Sequence, residues 1–154
     1  MLRINRQTDY AVRVMLALAQ RDESMRLTSA EIQQEMQIPK AFMGRIVAQL
    51  AKAGLILTFA GREGGMQLPY PASQITLKDV VDAFEGPILL SECQQAKGKD
   101  DCPFLTHCPV KTKWSRVQVA MLQEMAAISF ADLAQEAQSI RVDGFGSFQN
   151  ILSL

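Results

Sequence analysis

The sequence predicts a mainly α-helical fold with one small β-hairpin and a long additional helix toward its C-terminal end. Three observations predict it. Apolar residues recur at steps of three and four along most of the chain. Two such segments, 28–36 and 39–53, are separated only by Gln37 and Ile38. A glycine-rich run, Ala60-Gly61-Arg62-Glu63-Gly64-Gly65, lies between two short apolar stretches and reads as a hairpin tip.

The first helix is expected to be capped by Thr8 or Asp9 and to run to about Gln20, with Val12, Met15, Leu16 and Ala19 on one face. Thr28-Ser29-Ala30-Glu31 has the pattern of a capping box and opens a second helix that ends near Met36. Pro39 suits the first position of a third helix, which Gly54 closes after Ala53. Residues 55–59 and 66–68 read as strands, with Pro69 at the end of an edge strand. A helix–turn–helix followed by such a hairpin is a winged helix. Thr76 to Asp79 opens another helix, whose Leu77, Val80, Val81 and Phe84 share a face and which Gly86-Pro87 stops. Gly98, Pro103 and Pro109 mark the next stretch as loop. A long helix from about Lys111 to Ala127 carries the stripe Trp114, Val117, Met121, Met125 and Ile128, more apolar surface than one small domain needs. Ser129 caps a last short helix around 132–138. The expected organisation is thus a winged-helix unit over 1–86, a cysteine-rich loop over 87–110, the long and the short helix over 111–140, and a tail over 141–154 expected to lack order.

With 154 residues, 48 % hydrophobic and 21 % charged, the chain can bury a core of useful size. No apolar run approaches the ~18–20 residues of a membrane span, and Met1 to Asn5 lead into polar residues with no signal core. A cytoplasmic protein without a membrane partner is expected. The net charge is zero but unevenly spread. Residues 1–69 hold nine Lys/Arg against six Asp/Glu, a net +3, and residues 70–154 hold seven against ten, a net −3. The basic half is the half with the helix–turn–helix, as expected for a DNA-facing surface.

Placed at 100° per residue, the third helix divides into two arcs. Phe42, Met43, Ile46, Val47 and Leu50 form one; Lys40, Ala41, Gly44, Arg45, Ala48 and Lys52 form the other. An outer arc of small and basic residues lets a helix lie deep in the major groove while Lys and Arg reach phosphates or base edges. Gly44 costs roughly 1 kcal/mol relative to Ala within a helix, so close approach to DNA would give it a purpose. Thr28, Ser29, Pro39, Lys40, Ala41, Gly44, Arg45, Arg62, Gly64 and Gly65 are the candidate DNA contacts. A plain solvated helix face is the alternative.

All three cysteines fall in one short stretch: Cys93, Cys102 and Cys108, with eight and five residues between them. An odd number cannot close into internal pairs. The spacing is not that of a zinc knuckle, and it is compatible with an iron–sulfur cluster, whose irons present ligand positions further apart. Three thiolates leave a ligand missing. His107, the single histidine, is awkwardly adjacent to Cys108 and reads better as a solvated loop residue. Asp9 is the other candidate, against its simpler role as a helix cap.

These residues together resemble the Rrf2 family of bacterial winged-helix regulators, which includes iron–sulfur sensors of the IscR, NsrR and RirA types. The resemblance spans roughly 1–138. It rests on Leu2-Arg3-Ile4 with Thr8-Asp9-Tyr10-Ala11-Val12-Arg13, on Ala53-Gly54-Leu55, on Gly64-Gly65, on Ile75-Thr76-Leu77 with Asp79-Val80-Val81, on Glu85-Gly86-Pro87, and on three cysteines ahead of a long helix. It implies a homodimer in which the long helices cross, with Trp114, Val117, Met121, Met125 and Ile128 between subunits and two recognition helices on a pseudo-palindromic double-stranded operator. It also implies a 2Fe–2S or 4Fe–4S cluster on Cys93, Cys102 and Cys108, with Asp9 of a partner subunit as a further ligand. Three departures stand out: a longer first cysteine gap than is usual, Ala60 before the first wing glycine where relatives often have arginine, and Gly44-Arg45 where they often have larger polar pairs.

The expected function is a transcriptional regulator, acting as a repressor, whose operator affinity an iron–sulfur cluster controls in response to nitric oxide, redox stress or iron status. The alternatives are a winged-helix regulator with a zinc or thiol-redox site and no iron, and an interaction adaptor that does not bind DNA. No nucleophile–base pair, phosphate loop or paired acid and base is visible, so an enzyme is not expected.

Overall fold

The computed structural model describes residues 4–91, 102–104 and 106–143. Among these residues six helices and one hairpin follow in order: α1 (Arg6–Ala19), α2 (Ser29–Met36), α3 (Lys40–Lys52), β1 (Leu57–Phe59), β2 (Gly65–Gln67), a 3-10 turn (Ala72–Gln74), α4 (Leu77–Glu85), α5 (Pro109–Ala127) and α6 (Phe130–Asp143). This is the winged helix with an added long helix that the sequence predicts.

Helix α1 starts earlier than expected. Its N-cap is Asn5, whose side chain accepts from the Thr8 amide at 3.0 Å. Thr8 is instead fully buried, and its hydroxyl donates to the Glu85 carboxylate at the end of α4. Asp9 lies in the first helical turn and pairs with Arg13 at 2.8 Å. Ala11, Val14, Met15, Ala17 and Leu18 are buried, so α1 is covered on more than one side.

The capping box of α2 forms as expected, Thr28 and Glu31 satisfying each other's backbone amides. The turn into α3 is made by Gln37 in the left-handed region (φ 54°) and by Ile38, which is buried. Pro39 is the N-cap of α3 rather than its first residue. At the far end Gly54 takes φ 71°, and the Leu55 amide reaches back to the Leu50 carbonyl at 3.0 Å. Leu55 therefore belongs to the helix C-cap, which is why β1 starts at Leu57 and not at 55. The hairpin pairs Leu57 with Gln67, Thr58 with Met66 and Phe59 with Gly65, antiparallel. Met66 also bridges to Leu27, so the segment before α2 adds a third edge to the wing.

Helix α5 begins at Pro109, two residues before the expected start, with Cys108 as N-cap. None of its residues is buried. Helix α6 is longer than the short helix expected, running through Asp143 and so past the 141 at which the tail was placed; 144–154 lie outside the described residues. Its side-chain cap is the predicted Ser129, paired with Asp132. The chain returns here to the winged-helix unit. Thr76 bridges to Ser129, the Leu77 amide donates to the Ile128 carbonyl, the Phe130 amide donates to the Ile75 carbonyl, and the Phe130 ring is wholly buried. The last helix is thus part of the core rather than an appendage to the long helix.

Two predictions follow from this packing. Phe130→Ala should cost roughly 3–5 kcal/mol, the usual range for emptying an aromatic site in a core, read from urea unfolding at fixed protein concentration; a peripheral α6 would show a small change only. The capping carboxylates Glu31 and Asp132 are held below their ordinary values of 4.5 and 3.8 by hydrogen bonds from Thr28 and Ser129 respectively. Their contribution to stability is complete above those ordinary values and is lost as pH falls through the lower folded ones. Glu31→Gln with Asp132→Asn should therefore flatten the acid limb of a plot of urea midpoint against pH.

Candidate nucleic-acid interface and cysteine segment

The division of α3 into two arcs is realised in the structure. Met43, Ile46 and Leu50 are buried, while Lys40, Ala41, Gly44, Arg45, Ala48 and Lys52 are all exposed. A Cβ added at Gly44 would meet nothing within 4 Å. Packing within the chain therefore gives no reason for a glycine there.

On one flank of α3 lies a groove of about 270 Å³ that brings Thr28 and Ser29, at the start of α2, together with Val47, Thr58, Phe59 and the wing residues Gly61, Arg62, Gly64 and Gly65. The Thr28 hydroxyl is engaged in its cap. Ser29 is exposed at the first turn of α2, where amides lack helical partners and the helix dipole favours negative charge. Arg62 is exposed at the wing tip. The two wing glycines have structural reasons of their own. A Cβ on Gly64 would lie 2.4 Å from the Phe59 carbonyl oxygen, and Gly65, at φ 144°, would clash with the Leu27 carbonyl oxygen at 2.9 Å. On the other flank, Arg45, Ala48, Gln49, Lys52 and Ala53 line a cleft of about 590 Å³ with Ala83 of α4. Of the candidate contacts, Thr28, Ser29, Arg62, Gly64 and Gly65 thus share the first groove and Arg45 lines the second cleft, while Pro39, Lys40, Ala41 and Gly44 are exposed but line neither.

The cysteine segment is described in part. Cys102 and Cys108 are free and half-buried, and Cys93 lies outside the described residues. His107 is exposed; its Nδ1 shares a hydrogen bond with the Thr106 hydroxyl at 2.9 Å and its ring lies edge-on to Phe104. Among the described residues no three His, Cys, Asp or Glu side chains converge on one point. The side chain of Asp9 is 53 % exposed and open to a second molecule, although Arg13 of the same helix now holds it. On α5, Trp114 and Val117 are exposed and Met121, Met125 and Ile128 are half-buried.

Some residues that organise this surface carry no local signal. The Gln49 side-chain amide donates to the Ala83 carbonyl at 2.7 Å, joining α3 to α4. Glu85 accepts from the Asn5 amide at 2.9 Å and from Thr8, joining α4 to α1. These pairs are 34 and 77–80 residues apart in sequence, beyond the reach of periodicity or capping patterns.

Comparison with known proteins gives one answer. The family model described as Rrf2, iron-dependent transcriptional regulator, matches residues 4–136. Protein aau3 of Rhizobium meliloti (strain 1021) is 33 % identical over 139 residues, spanning 90 % of this chain and 89 % of that protein. The HTH-type transcriptional regulator NsrR of Geobacillus kaustophilus (strain HTA426) is 30 % identical over 140 residues, spanning 91 % and 95 %. Two solved structures share the fold: CymR (YrzC), the global cysteine regulator of B. subtilis, with a TM-score of 0.73 at 24 % identity over 88 % of this chain and 98 % of that one, and T. potens IscR, with a TM-score of 0.71 at 20 % identity over 96 % of each. No helix among the described residues is long and apolar enough to cross a membrane. The chain belongs to the Rrf2 family, whose members are transcriptional regulators and not enzymes.

Proposed function

We propose that this regulator works as a cytoplasmic homodimer that reads a pseudo-palindromic operator with α3 and represses transcription, and that an iron–sulfur cluster on Cys93, Cys102 and Cys108 controls its affinity. The observation that carries the DNA reading is the exposed outer arc of α3, small and basic, with a glycine that the chain itself does not require. Arg45, Lys40 and Lys52 supply charge for phosphates or guanine edges, Ala41, Gly44 and Ala48 let the backbone come close, and Ser29 and Arg62 flank them. The dimer reading is supported by α5, which exposes Trp114, Val110, Val117 and Val119 and has no buried residue of its own. Burying that face against a second copy is the ordinary remedy for such a helix.

The cluster reading is supported by the donor set. Three thiols in one segment suit an iron–sulfur centre, and the two that are described are free and partly accessible, Cys108 as the N-cap of α5 and Cys102 in the loop ahead of it. When bound, the cluster supplies a centre that nitric oxide or oxidants can degrade. Asp9 is a ligand that only an exposed position on α1 could offer to another subunit. Ligation and the ion pair with Arg13 compete for the same carboxylate. Nitric oxide or redox stress ranks first as the signal and iron status second.

Gly44→Ala separates the DNA role from mere helix formation. It should raise stability by about 0.5–1 kcal/mol through helix propensity while weakening duplex binding. Arg45→Ala should weaken binding and lower the slope of log affinity against log salt by about one; an unchanged affinity would leave α3 without its assigned role. Protein purified without oxygen should absorb broadly in the visible and hold matching iron and sulfide, and Cys102→Ala should not assemble a full cluster. A colourless chain that cannot be reconstituted would transfer the cysteines to zinc or thiol chemistry, and a chain with no preference for duplex DNA would be an interaction adaptor.

A further inference from the structure

We propose that Arg26 is the positioning residue of the wing: one guanidinium that holds both strands and the tip of the hairpin at a fixed angle to α3. The proposal rests on the DNA-binding reading above. Two strands of three residues each are too short to be stable alone, so the wing needs an external tether. Its base has one, the bridge from Leu27 to Met66 with bonds of 3.0 and 2.8 Å. Beyond that base the tip, 60–64, projects with Arg62 exposed upon it.

Arg26 holds the part the bridge leaves free. Its guanidinium carbon lies 3.6 Å from the centre of the Phe59 ring on β1. Nε donates to the Gln67 side-chain oxygen on β2 at 3.4 Å, and Nη1 donates to the Glu63 carbonyl in the turn at 3.3 Å. One planar group thus touches all three parts of the hairpin. The stacked face and the fork of donors are properties of arginine that lysine lacks. Gly65 completes the fit, since a Cβ there would come within 3.2 Å of Arg26 Cβ. With its face on Phe59 and two of its nitrogens on the wing, Arg26 acts on DNA through the place it gives Arg62 and the wing backbone.

The test compares wild type, Arg26→Ala, Arg26→Lys, Arg62→Ala and the double variant Arg26→Ala/Arg62→Ala. Amide hydrogen exchange over 57–67 is measured in the free protein, and binding is titrated on a short mixed-sequence DNA duplex at several salt concentrations. Arg26→Ala and Arg26→Lys should both speed exchange in the wing and leave α1 and α4 protected. Both should lose about tenfold in affinity, the order of one or two phosphate contacts. The double variant should lose little more than the weaker single, because the two residues act through one contact. Lysine restoring affinity and salt slope would overturn the proposal in favour of a simple phosphate charge, as would fully additive losses. Unchanged wing exchange in Arg26→Ala would overturn it outright. Should the wild-type protein bind no duplex, the DNA reading falls, and the exchange data alone decide whether Arg26 fixes the wing.

Discussion

Helix α1 is the meeting place of the molecule: α2, α3, α4 and α6 all pack on it. A fourteen-residue helix can serve four neighbours only if it is apolar around much of its circumference and has small residues where the neighbours come closest. Ala11, Ala17, Val14, Met15 and Leu18 meet both conditions. The one polar side chain buried there, Thr8, is tolerated because its hydroxyl has the Glu85 carboxylate as partner. Helix α3 packs directly on it, and the residues just ahead of the cysteine segment follow α4, which is joined to it through Glu85.

Around that axis the same local device recurs at three helix starts among the described residues. Thr28 with Glu31, Thr76 with Asp79, and Ser129 with Asp132 each close a helix start with a hydroxyl and a carboxylate three residues on. The caps fix where α2, α4 and α6 begin, and tertiary contacts then fix how they lie. The last cap has a second consequence, because Ser129 bridges to Thr76 and so ties the start of α6 to the start of α4.

What could be read in the sequence follows from this division of labour. The turn between α2 and α3, the glycine tip and the three caps are local, and their residues announce them. The two arcs of α3 are periodic, so its exposed and buried faces were also legible. The start of α1 is not legible because Thr8 looks like a cap until its distant partner Glu85 is known. The length of α6 and the burial of Phe130 are not legible because nothing local distinguishes a helix that returns to the core from one that trails away. Leu55 reads as strand because its apolar neighbours outweigh the signal of Gly54, which instead bends the chain back on Leu50. The clustering of the three cysteines supports the shared site proposed above, but sequence spacing carries no information on where their segment lies relative to Asp9.

The way α4 ends and α5 begins bears on what the cysteine segment costs the protein. Gly86 sits at φ 68° and ψ −156°, a conformation that only glycine adopts readily, directly after a turn that Thr8, Asn5 and Gln49 hold in place. Cys108 opens α5, which packs back on α4. Both ends of the intervening chain are therefore tethered to the same helix before any ligand arrives. The entropy of closing that loop is already met by the packing of two helices. Small metal-dependent modules behave otherwise, because in them the ligand must organise the fold as well as bind. Here the surface built around α3 has its own core beneath it, so in the cluster-controlled regulator proposed above gain or loss of the bound group would act as a signal on an intact protein instead of deciding whether there is a protein at all.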